Sequence, residues 1–375
     1  MDSGTSEDRL IHDWAHPATN APPRRPMLDD ETLRDGLQSP SVQDPPVDVK
    51  IRILHLMDSL GIETADVGLP GAGPRQRDAV EALCREIDTA RLRIRPNCAA
   101  RTMVVDIQPI ADVSQKTGLP VEACIFIGSS PIRQYAEEWD LDHILRHTRQ
   151  ATEFAVREGL DVMYVTEDTV RSSPEHLRVL LTAAIDAGAR RVCLCDTVGA
   201  AVPEGVINLT RWVRALLEDL GVGERVGNTL MEQLLVNLRL LGWREGDLGR
   251  LTEYTELVSQ AVGVPIPVNQ PIVGRDAFRT ATGVHAAAVI KAQRKGQAWL
   301  ADRVYSGVPA GWIGRHQEIE VGHMSGGSNV QHFLAARGLT ATPETVEAVL
   351  AAAKRSKRLL TEEEVLQHVR TPASS

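Results

Sequence analysis

Apolar and polar residues alternate along this chain in two different periods. From about residue 26 to residue 220, short apolar runs are followed by longer segments in which apolar residues recur every three or four positions. The short runs predict buried strands of a parallel sheet, and the longer segments predict helices that cover it. Six strands are predicted, at Met27–Arg34, Thr64–Leu69, Leu92–Ala99, Val121–Gly128, Asp161–Thr166 and Arg191–Cys195.

The segments between these strands have helical periodicity. Helices are predicted at Val47–Leu60, Arg77–Ile87, Val104–Lys116, a long stretch that ends at Arg157, Pro174–Ala187 and Pro203–Asp219. Regular alternation of strands and helices predicts an α/β fold, either a TIM-type barrel or a doubly wound sheet. No Gly-x-Gly-x-x-Gly follows the first strand, which argues against a dinucleotide-binding sheet.

The pattern changes after residue 228. Thr229–Leu241 is an amphipathic helix, and from Gly246 onward helical patterns dominate without clear parallel strands. The tail carries two further helices, at Pro343–Lys357 and Thr361–Arg370. We therefore predict a flexible N-terminal arm over residues 1–25, a TIM-type catalytic domain over 26–245 and a helical C-terminal subdomain over 246–375.

Composition excludes several classes of protein. Lysine and arginine number 41 against 50 aspartates and glutamates, and the net charge of -9 argues against general nucleic-acid binding. The five cysteines form no Cys-x-x-Cys framework, so we expect reduced core thiols in a cytoplasmic protein. Residues 1–25 lack the apolar segment of a signal peptide, and no apolar run reaches the ~20 residues of a membrane span.

Chemistry is concentrated where predicted strands end. Leu33–Gln38 brings an Arg-Asp pair to the end of the first strand, where a barrel places its catalytic groups. Asp35 offers hard oxygen ligands to a divalent metal, and Arg34 can bind a carboxylate or an oxyanion. With the hexapeptide Gly223–Asn228, this stretch resembles the DRE-TIM metallolyases, and specifically the 2-isopropylmalate, homocitrate and citramalate synthases.

The resemblance implies a role for each motif residue near the metal. Asp35 would ligate Mg²⁺, Mn²⁺ or Zn²⁺, and Asn228 would lie at or beside that ion. Arg34 would stabilise the enolate or carbonyl oxygen, and Gln38 would line the pocket. Asp66, at the end of the second strand, is a shortened equivalent of a glutamate that orients the arginine. An ordinary strand-end ion pair or capping carboxylate remains the alternative for these acids.

Further residues follow from the same resemblance. Glu167, with Asp168 and Arg171, would belong to the acid/base network, and Thr197 would grip the carboxylate of a 2-oxo acid. His285 would be delivered into the site of a partner subunit for proton transfer, which implies a homodimer, and Tyr305 is a weaker candidate. Surface acids and a structural histidine are the alternatives. His143 and His147 lie on one face of a predicted helix, and we expect this face to be exposed to solvent and not to bind zinc.

The resemblance fails at one place. The family's seventh strand carries His-x-His, which supplies two metal ligands, and no His-x-His lies between the two motifs of this chain. The helix after strand six runs directly into Gly223–Asn228, where the family has a strand, a helix and a further strand. A complete barrel has ~250 residues in eight strand–helix repeats, so the missing segment is on the order of 35 to 45 residues. An internal deletion is the economical explanation, and we expect weak metal binding and little or no acetyl-CoA-dependent activity.

The resemblance implies an acyltransferase that condenses acetyl-CoA with a 2-oxo acid in a Claisen-type reaction, like a 2-isopropylmalate synthase of leucine biosynthesis. Homocitrate and citramalate synthases are rivals, because the chain ends without room for the large feedback-inhibition domain of the leucine-pathway enzymes. A carbon–carbon lyase running the reverse cleavage, as HMG-CoA lyase does, is the next alternative. From a different class comes a catalytically silent barrel remnant that acts by protein association.

Overall fold

The computed structural model describes residues 26–220, 223–226, 229–296 and 298–370. Its described residues fall into two compact units. Residues 26–231 and 260–264 form the first, here called the sheet unit, and the remainder from residue 232 form the second, here called the helical unit. The predicted N-terminal arm lies outside the described residues, and the predicted boundary at residue 245 between catalytic and C-terminal domains stays a prediction.

One parallel sheet of seven strands is the centre of the sheet unit. Its strands are β1 (Asp29–Asp30), β2 (Thr64–Asp66), β3 (Arg95–Arg101), β4 (Glu122–Gly128), β5 (Val162–Glu167), β6 (Arg191–Leu194) and β7 (Gly223–Val226). Their order in space is their order in the chain, and all neighbours are parallel. Within the described residues β1 and β7 do not pair with each other. The predicted incomplete α/β barrel is therefore confirmed.

The helices of the sheet unit begin with residues suited to a first turn. Proline is the first residue of four of them, where its missing N–H costs no bond. Ser130, Asp140 and Ser173 cap three helices by accepting a first-turn N–H. These helices are α1 (Val47–Ser59), α2 (Pro74–Thr89), α3 (Val104–Thr117), α4 (Pro131–Glu137), α5 (Leu141–Arg157), α6 (Pro174–Asp186) and α7 (Pro203–Leu220).

The two faces of the sheet differ in polarity. On β6, Val192 and Leu194 are fully buried, whereas Arg191 and Cys193 are half-buried, as expected when side chains alternate between faces. The hydroxyl of Tyr164 on β5 bonds to Thr148 of α5, so its face of the sheet carries the helices. The opposite face, here called the inner face, carries the polar side chains that end the strands.

The first strand is shorter than predicted. It covers only Asp29–Asp30 instead of Met27–Arg34, because Asp30 Oδ1 accepts the backbone N–H of Thr32 at 2.8 Å and turns the chain. Arg34 therefore lies in the turn after the strand and not on its tip. A 3₁₀ helix, Asp35–Gln38, follows directly.

Two other elements differ from the predicted pattern. Gly223–Val226 is a seventh strand whose register places Gly223 beside Arg191 and Val226 beside Leu194. The helical stretch ending at Arg157 is two helices, α4 and α5, because Glu138 adopts a left-handed φ of 58° between them. Neither feature has a periodic apolar pattern that would reveal it.

The helical unit is built mostly from helices, as predicted. Val330, Phe333, Leu334 and Val349 lie at the centre of one of its apolar cores. A short parallel pair of strands, which the sequence did not predict, joins β8 (Arg279–Thr280) to β9 (Glu318–Ile319). No helix within the described ranges is long and apolar enough to cross a membrane. The helices of this part are α8 (Met231–Leu240), α9 (Leu251–Val262), α10 (Gly283–Arg294), α11 (Ala298–Arg303), α12 (Gly327–Ala335), α13 (Pro343–Arg355) and α14 (Glu362–Arg370).

Candidate functional site

Arg34 is held by three carboxylates beyond the carboxyl ends of β1 and β2. Its Nε donates to Asp66 Oδ2 at 2.9 Å, its Nη1 to Asp35 Oδ1 at 2.9 Å and its Nη2 to Glu31 Oε2 at 2.6 Å. A guanidinium has five N–H groups. Counting the described residues alone, these three bonds leave two N–H groups, one on each Nη nitrogen.

The local chain path explains how the turn forms. The carbonyl oxygen of Glu31 accepts the N–H groups of Arg34 at 3.2 Å and Gly36 at 3.0 Å. Leu33, which lies between Glu31 and Arg34, is buried and anchors the turn in the core. A spacing of three residues in such a turn places the Glu31 and Arg34 side chains on one side, where they form their ion pair.

Asp66 is the buried anchor of this arrangement. Its side chain is 0% exposed, and its second oxygen accepts the N–H of Gly68 at 3.1 Å. Gly68 has a φ of 148°, and a Cβ there would lie 2.8 Å from Cγ2 of Val80. Only glycine therefore lets the chain turn close enough to bond Asp66. The contact that the sequence predicted between Asp66 and Arg34 is present, while its role in orienting a catalytic arginine stays a prediction.

The cluster contains more acid than base. Burial raises the pKa of Glu31 to about 9, aided by the charge of Asp66 and opposed by Arg34. Burial also raises the pKa of Asp66 to about 7, opposed by Arg34 and by the N–H of Gly68. Burial alone would lower the pKa of Arg34, but Asp66, Glu31 and Asp35 together raise it. The guanidinium thus stays charged, and burial favours the protonated form of Glu31.

A row of polar groups continues from this cluster across the inner face. Asp29 Oδ1 accepts hydrogen bonds from Thr64 Oγ1 and, at 2.8 Å, from Asn97 Nδ2. Asn97 Oδ1 in turn accepts the thiol of Cys124 at 3.2 Å. These side-chain hydrogen bonds link β1, β2, β3 and β4 and help to hold the four strands in register.

The ends of β5 and β6 are tied together by one hydrogen bond. The N–H of Asp168 donates to Thr197 Oγ1 at 2.9 Å. Asp168 is 1% exposed, adopts a left-handed φ of 62° and accepts Arg171 Nε at 2.8 Å and Nη2 at 2.6 Å. Burial would raise the pKa of Asp168, but hydrogen bonds from Arg171 and Ser130 lower it. Arg171 therefore forms its ion pair with Asp168, the residue directly after Glu167.

Glu167 has a different neighbour. Its Oε1 lies 3.5 Å from Arg133 Nε at the start of α4, and its side chain is 29% exposed. Gln38 and Thr197 are both exposed at the ends of their segments. The predicted residues Arg34, Asp35 and Asp66 are thus brought into contact with one another, as are Asp168 and Thr197. The roles assigned to these side chains in catalysis stay predictions.

Charged groups from both clusters act on Cys195, the first residue after β6. The hydrogen bond that Cys195 shares with Cys193 lowers its pKa, as does the charge of Arg34, while burial, Asp35 and Glu167 raise it. The ends of β1, β5 and β6 are carboxyl ends of parallel strands and lie at one edge of the sheet. A barrel-type active site is built from strand ends at such an edge.

The described residues do not assemble a metal site of the kind that the resemblance implies. Among them, no three His, Cys, Asp or Glu side chains are arranged to hold a metal ion. The Asp35 carboxylate already bonds the Arg34 guanidinium. Asn228, the other predicted ligand, lies outside the described residues. His143 and His147 form a ring pair at 4.3 Å on the face of α5, beside Trp139. The described donors therefore do not fit a tightly held divalent ion.

His285 and Tyr305 lie together in the helical unit. Their ring centroids are 4.1 Å apart, with His285 in the first turn of α10 and Tyr305 beyond α11. Gly283 donates its N–H to the carbonyl of Met324 at 3.0 Å, and a Cβ at Gly283 would lie 2.9 Å from the nitrogen of Gly326. The two segments that the sequence singled out, Thr282–Ala286 and Gly322–Gly326, are therefore packed against each other.

Glu31 and the pair Cys193 and Cys195 were missed as site residues. Cys84, Cys98 and Cys124 are buried core thiols as predicted, whereas the two cysteines at the end of β6 are only half-buried. The signal for Glu31 was its spacing of three residues before Arg34. The signal for the cysteines was their spacing of two along a strand, which places both on one face.

Comparisons with known proteins identify the family. A family model described as HMGL-like matches residues 25–220. The chain is 28% identical to a homocitrate synthase of Methanopyrus kandleri, covering 90% of this chain and 88% of the relative. It is also 28% identical to a 2-isopropylmalate synthase of Sulfolobus acidocaldarius, covering 87% and 89%. Among solved structures it resembles the HMG-CoA lyase of Brucella melitensis, with a TM-score of 0.50, 16% identity, and coverage of 63% and 98%.

The lengths of these alignments bear on the expected gap. The alignment to the homocitrate synthase spans 373 positions while covering 90% of a 375-residue chain. It therefore includes positions where the relative has residues and this chain has none. The model match covers more than half of the chain, and the sheet it covers is an incomplete α/β barrel. This chain belongs to the HMGL-like family of DRE-TIM proteins.

Proposed function

We propose that this protein is an acyltransferase that condenses acetyl-CoA with a 2-oxo acid, as 2-isopropylmalate synthases do. The observation that carries the proposal is that the Arg34 cluster and the linked ends of β5 and β6 lie at the same carboxyl edge of the parallel sheet. Relatives named as 2-isopropylmalate and homocitrate synthases at 28% identity support the same reaction class.

The reaction has three stages. A base removes a methyl proton from acetyl-CoA, and the enolate carbon forms a bond to the ketone carbon of the 2-oxo acid. The ketone oxygen takes up a proton and becomes a hydroxyl. Water then cleaves the thioester, so that free CoA thiol leaves and the acetyl carbonyl becomes a carboxylate. Positive charge next to the ketone oxygen lowers the barrier to the second stage.

Different residues of this chain would act at different stages of the reaction. Arg34, fixed by Asp66, directs its two remaining donors toward the ketone oxygen as negative charge develops there. The exposed Thr197 hydroxyl can donate its hydrogen to the substrate carboxylate while its oxygen accepts the N–H of Asp168. Glu167 and, delivered from the partner subunit of a homodimer, His285 are the proposed proton-transfer groups, and Gln38 lines the substrate position.

Several reactions within this class are candidates for this chain. A homocitrate synthase or a citramalate synthase uses the same two-carbon donor with a different 2-oxo acid, and a lyase runs the reverse cleavage. One observation favours a second candidate function from another class. The described residues lack three clustered metal-ligating side chains, which is expected of a catalytically silent barrel that acts by association with a partner protomer.

The test is an assay of CoA thiol release over a panel of 2-oxo acids with acetyl-CoA. We expect low turnover with at least one 2-oxo acid, and a further loss of about 100-fold or more in Arg34→Lys, because lysine cannot provide a planar guanidinium. Arg149→Lys is the matched control, since Arg149 is exposed on α5. Thr197→Val should raise KM for the 2-oxo acid, and Thr197→Ser should restore it.

Two outcomes would contradict the proposal. If the wild-type chain released no thiol with any 2-oxo acid, the association hypothesis would replace it. If Arg34→Lys and Arg149→Lys had equal kinetics, the site would lie elsewhere.

A further inference from the structure

Cys193 and Cys195 form a thiol pair on the inner face. They are two residues apart at the end of β6, so their side chains leave the same face of the sheet. Their sulfur atoms are 3.8 Å apart and share a hydrogen bond. Both residues are half-buried, unlike the other three cysteines, which are buried.

The other three cysteines behave differently. Cys84, Cys98 and Cys124 are at most 4% exposed. Burial raises the pKa of all three thiols, which keeps them protonated and unreactive. The side chain of Cys98 lies on the same face of β3 as those of Pro96 and Ala100, the face that carries the helices, and so points away from Cys193. Thiol oxidation in this chain should therefore be confined to one pair.

The surroundings of Cys195 favour the thiolate. The hydrogen bond that it shares with Cys193 lowers the pKa of Cys195, burial opposes this effect, and the positive charge of Arg34 lowers the pKa further. The same shared bond and burial raise the pKa of Cys193. The pair thus has one thiol suited to attack an oxidant and a neighbour suited to resolve the product.

We propose that Cys193 and Cys195 are a redox modification site at which a hydroperoxide converts the two thiols into a disulfide. The Cys195 thiolate attacks the peroxide oxygen, the O–O bond breaks, and water or an alcohol leaves after protonation. The resulting sulfenic acid is attacked by the Cys193 sulfur, its hydroxyl leaves as a second water, and the S–S bond forms. Two thiols are oxidised and one peroxide is reduced.

The position of the pair at the strand end permits this closure. Leu194 is the last residue of β6 that pairs with β5 and β7, so Cys195 lies just beyond the ladder. Its N–H is held by Thr169 Oγ1 at 2.8 Å, a single bond that a small shift can break. Two residues along an extended strand separate their Cα atoms by about 6.6–6.8 Å, the upper end of the range for a disulfide. Such a bond is strained and readily reduced, so the modification is reversible.

Mass spectrometry of the full chain tests the proposal directly. Trypsin cuts after Arg191 and Arg211 and at no residue between them, so both cysteines fall in the single peptide 192–211. The folded protein is treated with hydrogen peroxide, blocked with a maleimide in denaturant and digested. We expect this peptide to lose two hydrogen atoms and to carry no maleimide, and dithiothreitol should reverse the change.

Matched variants decide the assignment. Cys193→Ser and Cys195→Ser should each abolish the intrapeptide disulfide, and the former should trap a sulfenic acid on Cys195. Cys124→Ser, a buried cysteine on β4, should leave it unchanged. The proposal would be overturned if both cysteines of the wild type stayed labelled by maleimide. It would also be overturned if they gained oxygen without losing hydrogen, or formed disulfides only between molecules. None of these readouts depends on the proposed activity.

Discussion

Glu31 accepts a hydrogen bond from Arg34 Nη2 at 2.6 Å, while the buried Asp66 accepts one from Nε of the same guanidinium at 2.9 Å. Bonds to two different nitrogens restrain the plane of the guanidinium before any substrate arrives. Three acids contact one base in this cluster, and burial favours the protonated form of Glu31. Ionisation of Glu31 should therefore weaken the fold.

Removal of the Glu31 charge should stabilise the protein at high pH. The pKa of Glu31 is raised to about 9 in the fold, so its contribution to stability is present below the ordinary pKa near 4.5 and is lost as the pH rises through about 9. Glu31→Gln keeps the neutral state at every pH. Urea unfolding should show the variant more stable at pH 9 by on the order of 1–3 kcal/mol, with the difference disappearing at pH 5.

The control for this experiment is Glu153→Gln, on the exposed side of α5. Its stability relative to wild type should not vary over the same pH range. Equal pH dependence in Glu31→Gln and the wild type would show that Glu31 ionises freely in the fold.

Asp66→Asn should destabilise the sheet unit strongly. Asp66 is fully buried and accepts hydrogen bonds from two donors, Arg34 Nε and the N–H of Gly68. An asparagine brings one NH₂ group, which must face one of those donors and leaves Arg34 without its buried counter-charge. We expect a loss of about 2–4 kcal/mol in the free energy of unfolding, measured by denaturant titration. Asp161→Asn at an exposed position is the control, and a similar small loss in both variants would contradict the prediction.

Gly68→Ala should also destabilise the fold. A Cβ at residue 68 would lie 2.8 Å from Val80 Cγ2, a fully buried side chain of α2, and the φ of 148° disfavours any side chain. We expect a cost of about 2–4 kcal/mol in thermal or chemical unfolding. Gly205→Ala is the matched control, because its nearest neighbour is 3.7 Å away and it lies in the first turn of α7. A neutral Gly68→Ala would mean that the turn after β2 relaxes easily.

Metal binding should be weak. The described residues offer no cluster of three ligating side chains, and imidazoles normally provide much of the affinity of such sites. Calorimetric titration with manganese or zinc should show no saturation in the micromolar range. A His143→Ala and His147→Ala double variant removes the histidine pair on α5 as a source of adventitious zinc binding. Tight, stoichiometric binding in that double variant would show that other residues replace the missing histidines.

Much of the fold could be predicted from the sequence because its strands and helices are amphipathic or apolar over whole segments. The predicted helix from Val47 corresponds to α1, and the predicted strand from Arg191 corresponds to β6. The exceptions are strands defined by their neighbours. β1 contains only two aspartates, and β7 has the polar composition Gly-Glu-Arg-Val. Pairing with the adjacent strand, and not an apolar pattern of their own, makes each of them extended.

The candidate site was predictable to a different degree. Motif positions gave Arg34, Asp35 and Asp66, and the structure brings these three into contact. Glu31 was missed because an ion pair across a turn depends on where the first strand ends, and that end was placed four residues too late. The thiol pair was missed because apolar surroundings in sequence suggested core cysteines, whereas the face of a strand decides exposure.

The open order of the sheet has a consequence for how the molecule unfolds. Each strand pairs only with its neighbours in the chain, so among the described residues no pairing joins the two ends of the sheet. Cooperativity must then pass along the sheet from strand to strand, and the terminal strands can separate while the centre persists. β1, which precedes the Arg34 turn, is the shorter of these ends, with two residues. Amide exchange should therefore be slowest in β4 and β5 and fastest at β1, so the arginine of the candidate site depends on the strand that detaches most easily.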